Sequence, residues 1–547
     1  MAVAGTLFRN GSAFDGRRHR RGCGALVAGG RIVAVGTDDD LAERATDADD
    51  VVDLAGGLLL PGFQDAHVHP VQGGLERVRC DLSSLSTREE YLAAVKEYAD
   101  DNPDRLWIGG GGWGLAAFGP GGPLAADLDA VVPDRPVFLP NRDHHGAWVN
   151  SRAMELAGID HRTPDPVDGR LERDADGRPT GTLHEGAMSL ISGQMTTTTA
   201  EEYDQALLAA QAYLHSLGVT AWQDALLGDY VAVDDPSSAY VRAADAGALT
   251  ARVRGALWWE RGYGVEQLEG LVERRRALRR DGFHPAAVKI MQDGIAENYT
   301  AAMSVAYLDR SGRPTGNTGL SFVAPERLNE AVTGLDAAGF QVHVHAIGDR
   351  AVREALDAFE AARRANGGND LRHHIAHLQM VHPQDQARFA ELGVSANIQA
   401  LWAHLDEQMT ELTLPYLEAE VASWQYPFAD LARAGGRLAA GSDWPVTSPN
   451  PLLGIHVAVN RTAYREPGRA GSEPFLPEQA LSIEQAFAAY TSGSAFVNHL
   501  DHTGTLEAGQ LADLAVLDRD PFEEDPAEIA AARVVATYVE GRAVFTG

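Results

Sequence analysis

The sequence DAHVH places His67 and His69 two positions apart at the end of an apolar stretch that is typical of a β-strand. Because side chains alternate between the two faces of a strand, both imidazoles point to the same side and can bind one metal ion together. A single His-x-His pair occurs often by chance and in protein cores. The pair therefore indicates a metal site only if further ligands accompany it.

Four further residues of metal-binding or acid–base type occupy equivalent places along the chain. Each follows a strand-like stretch at the point where the strand gives way to a loop: Lys289 in VKIMQDG, His345 in VHVHAIGD, His377 in HHIAHLQ and Asp443 in AAGSDWP. Four histidines and a carboxylate suit Zn²⁺ or a similar divalent ion. Unrelated core histidines are not expected to recur so consistently at strand ends, so the six residues together predict a site for one or two ions.

Lysine is nearly absent from this chain. Only Lys96 and Lys289 occur among 46 basic residues, and arginine supplies the rest. Where arginine serves almost everywhere, a lysine that is retained is a candidate for a task that needs a primary amine. Lys289 lies at the end of a strand-like stretch like the other candidate ligands, so we predict that it belongs to the site.

Eight strand-like stretches must position these residues, and helix-like stretches separate them. Ahead of the second stretch, apolar residues recur at three- and four-residue steps from Tyr203 to Leu217, and Gly218 then ends the helix. This alternation predicts an α/β fold, a (β/α)8 or TIM barrel over residues 61–499, with its chemistry on the loops that follow the strands. The eight stretches are residues 58–69, 219–225, 253–259, 286–294, 340–349, 372–379, 393–399 and 436–445.

The two ends of the chain share a different pattern. Short runs of β-branched and aliphatic residues between Gly, Asn and Asp fill residues 1–60, and similar runs return in residues 500–547. Segments of this kind from both termini can pair into one unit beside the barrel. We therefore expect a composite β-sandwich domain formed by residues 1–60 and 500–547.

A long insertion separates the first and second barrel strands. Residues 72–198 far exceed an ordinary connection after a barrel strand, and GRLER and RPTGTL flank DADG as in a β-hairpin. Long connections at a barrel mouth often supply lids or specificity elements. Trp113, His145 and Glu185 are therefore our candidate substrate contacts within the insertion.

Composition and charge limit the classes of partner. The formal net charge of −31 opposes binding to nucleic acid or to anionic membranes and favours a small-molecule substrate. No stretch approaches the roughly 20 apolar residues that cross a bilayer. The first residues lack the pattern of a secretory signal, so we expect a cytoplasmic protein. Two cysteines, Cys23 and Cys80, are too few for a disulfide framework.

Six segments together carry a family resemblance. PGFQDAHVHP, VKIMQDG, HAIGDRAV, HLQMV, GSDWPV and GTLEAGQLADLAVLD resemble the amidohydrolase superfamily, and specifically its long-chain branch that contains N-substituted formamide deformylases. The resemblance runs nearly end to end and includes the insertion, where PDRPVFLPNRDHHGAWVNSRAMELAGI and PTGTLHEGA look like the same branch. It is specific for superfamily and branch and only weakly specific for substrate.

The resemblance implies a metal-dependent hydrolase that cleaves a carbon–nitrogen bond of an amide or an N-substituted formamide. His67, His69 and Asp443 would hold one ion, and His345 and His377 the other. A neutral buried amine can take up CO₂, which arginine cannot do, so Lys289 would become a carbamate that bridges the two ions. Asp443 would also act as the base that takes a proton from water and passes it to the departing amine.

Other functions stay open at this point. A deaminase with a single metal ion, or a hydrolase of esters or lactones, uses the same fold. Such deaminases generally lack the lysine of the fourth strand and carry a glutamate soon after the fifth, whereas AIGD follows His345 here. A non-catalytic scaffold is a third alternative, although all six candidate positions are intact. A homodimer is also possible.

Overall fold

A parallel barrel of eight strands forms the centre of the molecule. The computed structural model describes residues 5–42, 50–118, 122–195, 198–230, 234–464 and 473–547. Every pair of neighbouring barrel strands is parallel, and their order in the barrel follows their order in the chain. The predicted (β/α)8 fold is therefore confirmed. The strands are β1 (Phe63–Val68), β2 (Val219–Leu227), β3 (Arg252–Trp258), β4 (Phe283–Met291), β5 (Gln341–Ala346), β6 (His374–His377), β7 (Ser395–Ile398) and β8 (Leu438–Ala440).

The barrel closes between β1 and β8 through the residues that follow β8. The Asp443 amide donates to the His67 carbonyl over 2.8 Å, and the Ser442 amide donates to the Asp65 carboxylate over 3.1 Å. Gly441 permits this approach, since a Cβ at that position would lie 2.7 Å from the Cβ of His67. The strand ends that carry His67 and Asp443 are thus held side by side.

Helices cover the outside of the barrel. The helix before β2 starts with a capping box, in which Thr199 accepts from the Glu202 amide and the Glu202 side chain reaches back to the Thr199 amide. The helix after β5 buries alanine, valine, leucine and phenylalanine at three- and four-residue steps. No helix in the described part of the chain has both the length and the apolarity needed to cross a membrane. The outer helices are Pro70–Val78, Ala200–Ser216, Ser237–Asp245, Leu268–Leu278, Pro325–Ala337, Asp349–Asn366, Gln386–Leu392, Phe428–Arg433, Pro451–Asn460, Ile483–Ala488 and Ser494–Val497.

Both termini contribute to a β-sandwich beside the barrel. Leu514–Leu517 pairs antiparallel with Leu58–Pro61, so one sheet contains strands from both ends of the chain. Phe8, Leu59 and Val516 share an apolar cluster that joins the two sheets. The domain limits at residues 60 and 500 stay a prediction. The four-stranded sheet has the order Arg31–Thr37, Cys23–Ala28, Gly5–Arg9, Asp50–Asp53, and the six-stranded sheet the order Arg542–Thr546, Val534–Val539, Leu514–Leu517, Leu58–Pro61, Ser12–Phe14, His19–Arg20.

A third, separate sheet lies between β1 and β2 in the chain. Its two final strands form an antiparallel hairpin, at the place where the sequence predicts one. The Asn298 amide donates to the His145 carbonyl over 3.0 Å and thereby ties this unit to the loop after β4. The limits of the insertion at residues 72 and 198 stay a prediction. The sheet order is Gly169–Arg173, Pro179–Glu185, Gly146–Val149, Val137–Pro140, Ile108–Gly111, Cys80–Asp81, with helices Arg88–Asp101, Ala125–Asp129 and Ser151–Leu156 packed around it.

Candidate metal centre and active site

His67, His69 and Asp443 converge on one point at the C-terminal end of the barrel. The Nε2 atoms of His67 and His69 lie 2.9 and 3.1 Å from Asp443 Oδ1. One ligand atom from each of the three residues can be chosen so that all three atoms lie within 4.8 Å of one another. His67 Nε2 is buried and, despite its short distance to Asp443, lies outside hydrogen-bonding geometry among the described residues. Atoms that converge without bonding each other are placed to share a cation.

The second pair of histidines lies next to the first. The His345 and His377 rings are 4.4 Å apart between centroids, and His377 Nδ1 lies 3.9 Å from Asp443 Oδ2. His377 stacks on Trp402, at 5.2 Å between centroids and 5° between planes, and its buried Nδ1 has no hydrogen-bond partner in the described part of the chain. His345 Nε2 donates to the Gly294 carbonyl over 3.2 Å, which leaves the lone pair on Nδ1. This pair therefore also offers free imidazole lone pairs.

Two of the ligand candidates hold an uncommon backbone conformation. His377 has φ 80° and Asp443 has φ 56°, in the left-handed region that costs a non-glycine residue about 1–3 kcal/mol. The Asp443 amide is fixed by the His67 carbonyl, and the His377 amide donates to the Gln399 side chain over 2.7 Å. These contacts hold both side chains toward the centre of the barrel mouth.

Lys289 lies near the C-terminal end of β4 and lines the same cavity as the four candidate histidines and Asp443. Its side chain is 4% exposed. Burial lowers the pKa of Lys289 to about 8, although the Asp443 and Asp224 carboxylates act in the opposite direction. Its Nζ has neither a hydrogen bond nor an ion pair within the described ranges, in contrast to Lys96, which pairs with Asp100 on the surface. Lys289 is thus a buried amine without a structural partner.

The donor set fits a divalent metal ion. His67 Nε2 and His377 Nδ1 are buried and lack hydrogen bonds among the residues described, as expected of atoms reserved for an ion. Imidazole nitrogens with a carboxylate are the ligands that Zn²⁺ and its neighbours prefer. The fit rests on these buried donors and on their convergence.

His343 was not predicted to take part in the site, and the structure places it directly behind a ligand. Its Nε2 lies 2.8 Å from His67 Nδ1, and its Nδ1 lies 2.8 Å from Gln223 Oε1. His374 also contacts Gln223, at 3.1 Å. The sequence held a signal for His343, because it lies two positions before His345 and therefore on the same face of β5. It held none for Gln223.

The insertion brings a His–Glu pair to the cavity. His145 lines it, and its Nδ1 lies 2.9 Å from Glu185 Oε2 and 3.0 Å from Glu185 Oε1. Glu185 Oε1 also accepts from the Thr300 hydroxyl over 2.9 Å. Burial alone would lower the pKa of His145, but the Glu185 carboxylate outweighs it and raises that pKa to about 9. Burial likewise opposes ionisation of Glu185, and His145 and Thr300 nevertheless hold its pKa below the usual value. The pair is therefore a buried ion pair.

The structure does not bring Trp113 to the cavity. Trp113 is fully buried in the core of the inserted unit, packs against Phe118 and Trp148, and donates from Nε1 to the Leu139 carbonyl. A tryptophan in a glycine-rich stretch resembles a loop residue in sequence, but here it fills the space beneath the loop. Nothing in its placement supports a substrate contact, whereas His145 reaches the cavity directly and Glu185 acts behind it.

A larger cavity opens in front of the ligands. The inner chamber, about 60 Å³, is lined by the candidate ligands and His145, and Trp402 and Val446 line both this chamber and an outer cavity of about 760 Å³. The outer walls mix aromatic with charged side chains. They include Tyr213, Trp402, Tyr426, Trp444, Arg142, Glu297 and Asp406.

A family model described as "Amidohydrolase family" matches residues 50–545 of this chain. The chain belongs to the amidohydrolase family. The match spans the barrel, the insertion and the C-terminal strands, and the strands between Gly5 and Thr37 lie before it. This amidohydrolase carries its six predicted ligands within the matched residues.

Known relatives cover nearly the whole chain. The amidohydrolase is 31% identical to "Protein LONG AFTER FAR-RED 3" of Arabidopsis thaliana, over 99% of this chain and 92% of that protein. It is 27% identical to an N-substituted formamide deformylase of Arthrobacter pascens, over 94% and 93%. Among solved structures, an uncharacterized metal-dependent hydrolase of Pyrococcus horikoshii OT3 matches with a TM-score of 0.73 and 25% identity, over 96% and 99%. The chain is thus a metal-dependent hydrolase of this family.

Proposed function

We propose that this amidohydrolase hydrolyses the carbon–nitrogen bond of a small amide, with N-substituted formamides as the first substrate class. The observation that carries the proposal is Lys289, which is buried, has neither a hydrogen bond nor an ion pair among the described residues, and shares one cavity with the four candidate histidines and Asp443. The similarity to an N-substituted formamide deformylase supports the same bond. The loop after β5 also lacks the acid expected of a deaminase, because Asp349 contacts the Ser304 amide rather than the cavity.

Named residues of this chain would hold the ions. His67, His69 and Asp443 suit one Zn²⁺, and His345 and His377 suit a second, with Lys289 as a carbamate between them. When bound, such ions lower the pKa of water toward ~7 and polarise a carbonyl group.

Asp443 is the residue we assign to proton transfer. Its Oδ1 faces His67 and His69 and its Oδ2 lies toward His377, so the carboxylate reaches both ligand pairs. A carboxylate in this place accepts a proton from the attacking water and delivers it to the nitrogen of the departing amine. The side chain is 5% exposed, so competing proton exchange with bulk solvent is restricted.

The outer cavity would hold the substituent on nitrogen. Its volume of about 760 Å³ lies within the usual range for small-molecule sites, and Trp402 and Trp444 offer apolar surface. A small-molecule substrate, a cytoplasmic location and a homodimer complete the proposal.

A matched substrate panel tests the proposed bond. Purified protein reconstituted with Zn²⁺ is given an N-substituted formamide, the acetamide and the ester with the same substituent, and an aminoheterocycle. We expect release of the free amine from the amides, and formate from the formamide. Hydrolysis of the ester alone, or ammonia from the heterocycle alone, would replace the proposal with one of those activities.

Asp443→Asn tests the assignment of the base. Turnover should fall by about 10²–10⁴-fold because the amide side chain cannot accept the proton, while much of the metal content is retained. Steady-state kinetics and elemental analysis of the same preparation measure both quantities. Near-normal turnover would remove Asp443 from the role of base.

A further inference from the structure

A chain of buried side chains begins at two backbone carbonyls and ends at a metal ligand. The Gln341 amide nitrogen donates to the carbonyls of Arg372 and Val497, each over 2.8 Å. Carbonyl oxygens only accept, so this contact fixes which end of the Gln341 side chain is nitrogen. Its oxygen is therefore left to accept, and Gln223 Nε2 donates to it over 2.8 Å.

The same logic orients the next residues. Because Gln223 Nε2 donates to Gln341, its Oε1 must accept, and His343 Nδ1 and His374 Nε2 lie 2.8 and 3.1 Å from it. Both histidines therefore carry hydrogen on the nitrogen that faces Gln223. The remaining nitrogen of His374 accepts from Asn397 Nδ2 over 3.2 Å. Both ring nitrogens of His374 are therefore hydrogen-bonded, as a neutral imidazole allows.

The last link reaches His67. His343 Nε2 and His67 Nδ1 are 2.8 Å apart, and one hydrogen lies between them. With its hydrogen already on Nδ1, a neutral His343 accepts at Nε2, so His67 donates from Nδ1. His67 Nε2 then keeps its lone pair, and this is the buried atom that faces Asp443 without a hydrogen bond in the described structure.

We propose that Gln341, Gln223 and His343 are positioning residues that fix the tautomer and the ring orientation of His67 for metal binding. The relay crosses the barrel interior from β5 through β2 and back to β5 before it reaches β1. All of its side chains are at most 4% exposed. Outer hydrogen-bond partners of this kind set ligand orientation and typically change metal affinity by about 10–100-fold. The inference rests on the metal dependence of the family and not on the amide substrate. Failure to find an amide substrate would therefore not contradict it.

A purely structural reading makes a different prediction. Buried polar side chains in a barrel core can simply satisfy one another and stabilise the fold. Their loss would then lower stability and leave the Zn²⁺ affinity of the folded protein unchanged. Metal affinity, measured apart from activity, separates the two readings.

The test compares Zn²⁺ affinity across variants of the full chain. Metal-free protein competes with a chromophoric chelator for Zn²⁺, and the Co²⁺-loaded protein gives an absorption spectrum that reports the ligand geometry. We expect His343→Leu to weaken Zn²⁺ binding by about 10–100-fold, because His67 Nδ1 loses its acceptor. His343→Gln supplies one acceptor and one donor in place of the imidazole and should retain more affinity than His343→Leu.

Two further variants keep the test decisive. Gln223 does not itself bond His67, but Gln223→Leu removes the oxygen that holds both His343 and His374. This variant should therefore weaken Zn²⁺ binding, and it can be tested even if His343→Leu does not fold. His215→Leu is the matched control: His215 is equally buried and bonded at both ring nitrogens, to the Val219 carbonyl and the Thr250 hydroxyl, away from the metal centre. Its loss should lower stability and leave Zn²⁺ affinity unchanged.

Three outcomes would overturn the relay. The first is wild-type Zn²⁺ affinity in folded His343→Leu or Gln223→Leu, and the second is an equal loss in His343→Gln and His343→Leu. The third is a loss in His215→Leu as large as in the relay variants, which would show that any damage to the buried polar core weakens the metal site. The thermal unfolding midpoint of each metal-free variant is measured beside its affinity to make these comparisons.

Discussion

The Glu185 carboxylate fixes His145 at the edge of the ligand cavity. Glu185 itself has φ 52°, a strained conformation for a glutamate, and two partners from different parts of the chain hold its side chain. This arrangement connects the inserted sheet with the loop after β4. The position of His145, our candidate substrate contact, therefore depends on a residue that does not itself line the cavity.

Glu185→Gln should be strongly destabilising. Removing one member of a buried ion pair leaves the other uncompensated and costs about 3–5 kcal/mol in the free energy of unfolding. Denaturant titration of the metal-free protein measures the loss. The matched control is Glu172→Gln, which breaks the more exposed pair of Glu172 with His184 at 3.0 Å on the same hairpin. Equal losses in the two variants would contradict the account of Glu185.

The sequence was sufficient to predict which candidate ligands would cluster at the barrel rim and insufficient to predict what supports them. Each ligand candidate ends a strand, and a barrel gathers the ends of its strands at one rim, so the positions alone implied a cluster. Gln223 and His343 instead point into the barrel, where an ordinary core residue has the same sequence pattern. Trp113 is a residue that the sequence predicted at the cavity and the structure places in a core. Sequence does not tell whether a tryptophan in a loop faces a ligand or the core beneath it.

The seam between β1 and β8 is the element-level feature on which the metal centre depends most. His67 and Asp443 lie on opposite sides of this seam, and Gly441 allows the two strands to approach. Widening of the seam would move apart His67 and Asp443, which are predicted to hold the same ion.

Gly441→Ala should damage both stability and metal binding. The added Cβ would lie 2.7 Å from His67, and relieving such a contact typically costs about 1–3 kcal/mol. Denaturant titration and Zn²⁺ competition measure the two effects. Gly270→Ala is the control, since Gly270 lies in the helix Leu268–Leu278 with open space around its Cβ position, and alanine there should stabilise by about 0.5–1 kcal/mol. Unchanged Zn²⁺ affinity in Gly441→Ala would mean that the seam does not set the ligand geometry.

The eight barrel strands and the hairpin could be predicted because their signals are local. Buried parallel strands are continuous apolar runs, and turn residues punctuate them. The strand order of the inserted sheet could not be predicted from the sequence. Its strands include the two-residue Cys80–Asp81 and the four-residue Ile108–Gly111, and segments this short take their partners from tertiary packing rather than from periodicity.

The molecule buries histidines outside the candidate metal centre as well as within it. Burial lowers the pKa of His456, in the helix after β8, to about 4, and His404 adds to the effect. The unfolded chain binds a proton at this residue near pH 6.5, and the folded chain does so only near pH 4. Unfolding therefore takes up a proton between these values, so stability should fall as the pH falls from 6.5 to 4.

His456→Gln should reduce this acid sensitivity. The wild-type protein is expected to lose on the order of 3 kcal/mol through this one residue between pH 7 and pH 4, and the variant should not. The readout is the difference in unfolding free energy between the two proteins as a function of pH. The control is His161→Gln, since His161 is exposed. Parallel pH profiles for wild type and His456→Gln would contradict the prediction.

The joining of the two chain ends in one sheet also belongs to the whole molecule. The pairing of Leu58–Pro61 with Leu514–Leu517 brings together segments that are more than 450 residues apart. The sequence predicts this unit because both ends contain short runs of β-branched and aliphatic residues between turn residues. It could not give the register, which depends on the barrel that separates the two ends in the chain.

Metal stoichiometry tests the central claim most directly. Elemental analysis of purified wild type, Lys289→Arg and Lys96→Arg compares the only two lysines, one buried at the site and one exposed on a surface helix. We expect nearly two divalent ions per chain in wild type and in Lys96→Arg, and one or none in Lys289→Arg, because arginine cannot form the bridging carbamate. One ion in all three proteins would contradict the binuclear centre, and no ion in any of them after reconstitution would contradict the metal site itself.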